Sequence, residues 1–458
     1  MRKYILLLVL GVGVCFTATV SVAQNQAQDR TRFLAPEYFQ TLQDSGQSPD
    51  RSLGDTLNDV LAKFQDQQYE ECLTLLGAVT AKHTEMPPPR VMMARIFLVT
   101  KRTRQAKSML EQSAARNSDY PGTYQLLGNL AIVEGRITDA LLEFRAAGER
   151  ALSGSVPEEQ RRLFLIQSHA GIATVAEARN DWGSAKEELS AWLDLDPKNG
   201  KARQRLGRAL FGSGQIDAAY AQLVQAKKDD PSIEPATVSK GWLHHRKGDE
   251  DEAAEWMQRA EQEEPENPRV QVALGTWLLE LNRQDEASKH ADVLEKLAPQ
   301  SPDLKMLRGS IAQVRKDYPE AERQFDALLK QTPGNLAASN RLALALIEQS
   351  DQNKRARAVE LAQANARQQP NSPEALSTLG WVLYKMGRLD EAERVLQASV
   401  GGGRASANTA YYLAHVFRDR GRLPQVRKLL QAALGTKGPF TYRKEAEKWL
   451  TEISPAAN

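Results

Sequence analysis

A glycine recurs every 34 residues over four consecutive periods in the middle of this 458-residue chain. An alanine follows each glycine after twelve residues, and a proline follows each alanine after twelve more. The three series are Gly207, Gly241, Gly275 and Gly309; Ala219, Ala253, Ala287 and Ala321; and Pro231, Pro265, Pro299 and Pro333. Three residue types held in register indicate an internal repeat, and this period is typical of paired helices stacked into a solenoid.

The residue types suit such helix pairs. If each glycine is position 8 of its repeat, the alanine is position 20 and the proline is position 32. We expect the small residue at position 8 to face the alanine at position 20, so that the two backbones approach closely. Proline ends the second helix, because it lacks an N–H group and clashes with the preceding turn. Further glycines fall between the paired helices, where a helix end needs a permissive backbone: Gly135, Gly214, Gly248, Gly387 and Gly421.

The pattern resembles the tetratricopeptide repeat, in which large apolar or alanine residues also occupy positions 24 and 27. The clearest single match is Tyr124-x-x-Leu127-Gly128, followed by Ala140, Phe144 and Ala147. About eleven such units can be followed between residues 53 and 436. The resemblance implies an all-α fold, a right-handed α-solenoid of about eleven helix-turn-helix repeats.

Three breaks in the register predict local departures from this plan. Gly128 and Ala173 are 45 residues apart, which predicts a loop and then a long helix from about Val156 to Arg179. Three extra residues between 350 and 355 are expected to enlarge one turn, and a glycine run at 401–403 replaces the usual proline and should loosen its junction. The predicted segments are a signal peptide (1–23), a polar lead (24–52), N-terminal repeats (53–152), an insertion with the start of the long helix (153–165), the main array (166–436) and a capping helix with a tail (437–458).

Residues 1–23 have the pattern of a secretory signal peptide. Arg2 and Lys3 precede an apolar run, and Ser21-Val22-Ala23 places small residues before a cut at Gln24. We therefore expect export across the inner membrane, most simply to a bacterial periplasm, with association to the outer membrane through a partner as a variant. Lipidation at Cys15 and retention as an N-terminal anchor are the alternatives.

The net charge limits the classes of partner, and the cysteine content limits how the fold can be stabilised. The chain has 60 Lys+Arg and 58 Asp+Glu, and cleavage removes two of the basic residues, so the mature chain is formally neutral. That balance gives no support to nucleic acid as a partner. Cys72 then stands alone, so the exported fold cannot rely on an internal disulfide. No later stretch is long and apolar enough for an integral membrane span.

The sequence contains no pattern that predicts catalysis. No histidine pair has the i, i+4 spacing of a helical zinc site, and no Gly-x-Ser-x-Gly elbow is present. The acidic run that begins at Asp249 has Ala254 where a calcium loop needs glycine. Cys72 falls at the alanine position of its repeat, which predicts a core residue. We therefore predict no enzyme activity, no cofactor and no metal site.

The resemblance places function in a concave groove lined by the first helix of each repeat. Lys201, Arg205 and Arg208 stand at positions 2, 6 and 9 of one repeat and form a basic stripe there. The family's carboxylate clamp is incomplete, because Gly171 stands where an asparagine belongs. The stripe is either a site for an acidic ligand or a solvated charged face. Trp242, Trp277 and Trp381, at positions 9, 10 and 9, either pack between helices or anchor a ligand in the groove.

These observations predict an exported, non-enzymatic scaffold that binds a segment of another protein in its groove. Resemblance to exported tetratricopeptide proteins suggests envelope assembly, secretion or exopolysaccharide export. The alternatives are an accessory subunit or a carbohydrate-binding solenoid of an envelope polysaccharide system. Exposed groove aromatics would favour sugar, and an apolar strip rimmed by charge would favour protein.

Overall fold

A computed structural model describes residues 34–36, 38, 40, 51–117, 119–154, 156–400, 405–436 and 440–453. The predicted segments 1–23 and 401–403 lie outside these ranges. The described helices from residue 51 onward are α1 (Arg51–Gln65), α2 (Tyr69–Lys82), α3 (Pro89–Val99), α4 (Thr103–Arg116), α5 (Pro121–Val133), α6 (Ile137–Ser153), α7 (Glu158–Arg179), α8 (Trp182–Leu195), α9 (Gly200–Gly212), α10 (Ile216–Asp229), α11 (Ala236–Lys247), α12 (Glu250–Glu263), α13 (Pro268–Glu280), α14 (Gln284–Leu297), α15 (Pro302–Val314), α16 (Tyr318–Gln331), α17 (Leu336–Ile347), α18 (Gln352–Gln368), α19 (Pro373–Lys385), α20 (Leu389–Val400), α21 (Ala407–Asp419), α22 (Leu423–Leu434) and α23 (Arg443–Ile453).

Helices α1 to α22 form eleven consecutive pairs, which confirms the predicted all-α solenoid and its number of repeats. Within a pair the helices are joined by a short turn and pack together, and odd-numbered helices are the first helices of the repeats. The chain divides into two compact units after Ile233, so that α1–α10 belong to the first unit and α11–α23 to the second. No strand occurs among the described residues.

The residues that meet between the two helices of a pair are not the ones that were predicted. A Cβ atom added to Gly309 would lie 2.5 Å from Cε1 of Phe325, and one added to Gly128 would lie 2.7 Å from Cε1 of Phe144. Both phenylalanines stand at position 24, so in these two repeats the glycine at position 8 faces the large residue at 24, not the alanine at 20. The alanine is buried in its own right, as Ala321 shows with no exposed surface. Glycine is needed because the ring fills the space that a side chain would take.

Gly128→Ala should lower the stability of the first unit by about 1–3 kcal/mol, because the new methyl group overpacks against Phe144. Gly77→Ala is a matched control in the same unit, since a Cβ there meets nothing within 4 Å. That variant should gain about 0.5–1 kcal/mol from helix propensity. Thermal unfolding of the two variants checks the prediction, and equal shifts in Tm would contradict it.

The turn glycines behave as predicted. Gly135, Gly214, Gly248, Gly387 and Gly421 all have φ between +71° and +94°, the left-handed region that favours glycine.

The insertion between α17 and α18 differs from the prediction of an enlarged turn. The three extra residues there lengthen α18 to 17 residues, against 14 for α16, and the turn keeps only 348–351. The long helix after the insertion is confirmed as α7, which has 22 residues.

Both described ends of the array are covered. Leu34, Ala35 and Tyr38 of the lead segment are buried, and Arg95 Nη1 donates a hydrogen bond to the carbonyl of Leu34 at 3.0 Å. At the other end, α23 packs Ala446, Trp449, Leu450 and Ile453 against the core of the second unit. Within the described part of the chain, no helix is both long and apolar enough to cross a membrane.

Candidate functional site on the first helices of the second unit

The predicted basic stripe of the first unit is only partly accessible. Lys201 is exposed, but the side chain of Arg205 is 4% exposed, so the expectation of a cationic side chain open to a ligand is wrong for Arg205. Its Nε donates to Glu177 Oε1 at 3.1 Å, and its Nη2 donates to Thr174 Oγ1 at 2.9 Å. Arg208 Nη2 lies 4.0 Å from the same carboxylate. Glu177 on α7 thus offsets the charge of the stripe, and ligand binding by Lys201 and Arg208 stays a prediction.

The three predicted tryptophans lie in different environments. Trp242 is half-buried, with its ring centroid 5.5 Å from that of His245. Trp277 is buried, and its Nε1 has no hydrogen-bond partner. Trp381 is 3% exposed, and its Nε1 donates to Glu348 Oε1 at 2.7 Å. Trp277 and Trp381 therefore pack between helices, as the first of the two interpretations expected.

Trp381 is also the centre of a group that the sequence reasoning missed. It stacks on Tyr412 at 4.3 Å and on Tyr384 at 5.2 Å between ring centroids. We name the aromatic cluster by its members: Trp381 and Tyr384 of α19; Tyr411, Tyr412 and His415 of α21; and Tyr442 and Trp449 of the C-terminal segment. The signal in the sequence is aromatic residues at positions 5, 6, 9 and 12 of the last two repeats. These positions share one helix face, because residues three and four apart are neighbours on a helix.

An open cavity of about 540 Å³ lies beside the aromatic cluster. Its lining is Trp381, Tyr384, Lys385, Gly387, Leu389, His415, Arg418 and Asp419. The rim carries paired charges: Lys385 Nζ is 2.9 Å from Glu348 Oε2, and Arg418 Nε is 2.9 Å from Asp419 Oδ1. Binding pockets are of this size and commonly combine aromatic walls with a few polar groups.

Burial controls the protonation of the cavity wall. Burial and, to a smaller extent, the positive charge of Arg418 lower the pKa of His415 to about 4, so the imidazole is neutral at pH 7. Neither ring nitrogen of His415 has a hydrogen-bond partner. Burial and the hydrogen bond to Asp419 raise the pKa of Tyr384 to about 12. The wall therefore offers neutral aromatic groups, with charge confined to the rim.

The arrangement suits non-covalent recognition. Among the described residues, no group of three or more His, Cys, Asp or Glu side chains is placed to hold a metal ion. The aromatic rings supply contact area, and the rim supplies hydrogen-bonding groups that orient a ligand. Six of the eight lining residues lie on the consecutive first helices α19 and α21, which belong to the helices predicted to line the groove; Gly387 and Leu389 come from the turn and the start of α20.

Two family models, each described as tetratricopeptide repeat, match this chain. One matches residues 176–237, 245–311 and 350–401, and the other matches residues 306–373 and 377–441. Together the matched ranges cover more than half of the chain. The chain is a tetratricopeptide repeat protein. The matched ranges lie within the helix pairs described above, and the range 377–441 contains all the residues that line the cavity.

Three solved structures match parts of this chain at low sequence identity. A protein of Thermus thermophilus is 18% identical over 41% of this chain and 98% of its own, with a TM-score of 0.35. Yeast Tom70 is 13% identical over 89% and 96%, with a TM-score of 0.37. The pilF protein of Pseudomonas aeruginosa is 15% identical over 47% and 96%, with a TM-score of 0.33. No curated protein sequence matches this tetratricopeptide chain.

Proposed function

We propose that this tetratricopeptide repeat protein is an exported scaffold that binds a segment of a partner protein on the first helices of its second unit. The cavity beside the aromatic cluster carries the proposal. Its walls are aromatic, its rim is charged, and both come from consecutive first helices α19 and α21. Interfaces concentrate their binding energy in a few such pockets that receive an anchor side chain.

Export to the periplasm is the second part of the proposal. It is supported by the basic start, the apolar run and the small residues before Gln24 in the sequence. A scaffold in that compartment would act in envelope assembly, secretion or exopolysaccharide export. Mass spectrometry of the chain recovered from a periplasmic fraction should give an N-terminus at Gln24. An intact Met1 in the soluble cytoplasmic fraction would contradict this part.

A photocrosslinking residue at Met386 tests the binding surface. Met386 is 42% exposed and directly precedes Gly387 of the cavity lining. Irradiation of cells should give a discrete crosslinked product from this position. The matched control is the same residue at Leu142, which is 60% exposed on the second helix of its repeat. Recovery of the free chain alone, or the same product from both positions, would count against the scaffold role.

The carbohydrate-binding alternative has less support. Sugar rings stack on aromatic faces that are open to solvent, and the faces of Trp381 are covered by Tyr384 and Tyr412. The remaining open surface is a cavity with a charged rim. The charged rim is one part of the feature expected to favour protein, which is an apolar strip rimmed by charge. An accessory-subunit role in a polysaccharide system would use the same protein-binding surface.

A further inference from the structure

The C-terminal segment shows what kind of side chain this surface takes up. Tyr442 lies flat on Tyr411, with ring centroids 4.8 Å apart and planes 8° apart, and its ring is 5.9 Å from that of Trp381. Its hydroxyl donates a hydrogen bond to Glu348 Oε1 at 3.2 Å. The Nζ atom of Lys316 is 5.8 Å from the same ring. One phenol is thus held by ring stacking and by a carboxylate at its polar edge.

The open cavity has the same two components, aromatic rings and a carboxylate at the edge. Trp381, Tyr384 and His415 form aromatic walls, with centroids of 5.2 to 5.6 Å between each pair. Asp419 stands at position 13 of its repeat, as Glu348 does two repeats earlier. The side chain of Asp419 is 37% exposed, so its carboxylate can accept a further hydrogen bond at the rim. The cavity is therefore a second site of the type that Tyr442 fills.

Two observations favour an aromatic ligand with a polar edge. His415 lines the cavity with its ring, and both ring nitrogens are buried and have no hydrogen-bond partner, so the wall that it presents is aromatic and uncharged. Aromatic pairs in offset or edge-to-face contact gain attraction beyond the area they bury. An acidic ligand is disfavoured, because Lys385 and Arg418 already pair with Glu348 and Asp419.

We infer that the cavity beside the aromatic cluster receives one tyrosine or tryptophan side chain of the bound partner segment. The inference rests on the proposed scaffold function and names the feature of the partner that this surface recognises. The parts of the rings that line the cavity contact the aromatic body, and the exposed carboxylate of Asp419 accepts a hydrogen bond from the phenol hydroxyl or the indole N–H. Tyr442 occupies the neighbouring position, so the partner segment runs beside the C-terminal segment.

The test selects random peptides displayed on phage against the full chain. The selected peptides should share a tyrosine or tryptophan, and replacing that residue by alanine should weaken binding about 30-fold, the loss typical of a buried aromatic anchor. Leu389→Trp, which fills the cavity from its lining, should weaken binding by a similar factor. The two changes together should cost no more than either alone, because both remove the same contact.

Two further variants keep the test decisive. Val133→Trp places the same side chain at a position in the first unit that is 49% exposed, and it should leave affinity unchanged. Tyr384→Ala removes one wall and should also weaken binding, so the inference does not depend on the folding of Leu389→Trp alone. Circular dichroism establishes that each variant retains its helices.

The outcomes separate this inference from the scaffold role. Selected peptides that need no aromatic residue, or that bind Leu389→Trp as well as the parent chain, overturn the inference and leave the scaffold role standing. No selected peptide, together with no crosslinked product at Met386, overturns both. Oligosaccharides that bind the parent chain and fail to bind Leu389→Trp would assign the cavity to sugar and overturn the inference.

Discussion

Glu177→Gln lowers the local stability of α7 and α9 by about 3–5 kcal/mol, the cost of leaving a buried charge without its partner. The guanidinium of Arg205 is 4% exposed and is held by two hydrogen bonds to the carboxylate of Glu177. Glutamine keeps the shape of the side chain and removes its charge, so Arg205 keeps only neutral acceptors, which are the amide oxygen of the glutamine, Thr174 and the carbonyl of Ala170. Hydrogen–deuterium exchange of α7 and α9 in the full chain measures the loss.

A double variant identifies the cause. Arg205→Met combined with Glu177→Leu removes both charges, and it should be less destabilised than Glu177→Gln, since a buried ion pair can often be replaced by apolar residues at little cost. Glu71→Gln is the control, because its pair with Lys63 is exposed on both sides, at 52% and 40%, and should contribute little to stability. A double variant as unstable as the sum of its single changes would show that Arg205 and Glu177 act independently.

The second large effect is acid destabilisation of α21 through His415. Burial holds the pKa of the folded imidazole at about 4, against about 6.5 for an exposed histidine. The unfolded chain therefore takes up the proton first, and the free energy of unfolding falls as the pH drops from about 6.5 to about 4. The stability contributed by neutral His415 is fully present above that window, and its loss amounts to about 3 kcal/mol.

His415→Phe should remove this part of the pH dependence. Phenylalanine keeps the aromatic packing and cannot be protonated, so the variant should be more stable than the parent chain at pH 4.5 and similar at pH 7.5. The charged groups that face His415 are Lys385, Arg418 and Asp419, and they are the same in both proteins. Hydrogen exchange of α21 at the two pH values gives the comparison.

Tyr411→Phe is the matched control for His415→Phe. Tyr411 packs against His415 at 4.6 Å, and burial raises its pKa to about 12, so it stays neutral throughout the window. This variant should keep the acid sensitivity of the parent chain. Equal acid sensitivity in all three proteins would show that another group controls the stability of α21.

The sequence predicts most of the repeat architecture because its signals are local. Turn glycines, proline stops and the small residue at position 8 are requirements of single helices and single pairs, and they recur often enough to be read without tertiary information. The extra residues before Arg355 were misplaced, because an insertion can enlarge a turn or extend a helix at similar local cost. In α18 they extend the helix. The partner of the position 8 glycine was also misassigned, since spacing along the chain does not give the angle at which two helices cross.

The sequence does not show which of the candidate side chains are accessible to a ligand. Residue type and position in the repeat indicate Arg205 and Trp381 as candidate groove residues on the same grounds as Lys201. The guanidinium of Arg205 is buried against the carboxylate of Glu177 on the preceding first helix. Trp381 is covered by rings from its own helix and from α21. Spacing within one repeat does not reveal the contacts with Glu177 and Tyr412, because these contacts cross between repeats.

By itself, the sequence determined that this protein is a stack of eleven helix pairs, and which positions in each pair must be small, large or proline. These are properties of one repeating unit and its nearest neighbour. Only the tertiary structure decided which charges are neutralised and where an open cavity remains. Those features depend on side chains brought together from different repeats. Glu348, Trp381 and Tyr442 meet in the second unit although they are far apart in the chain.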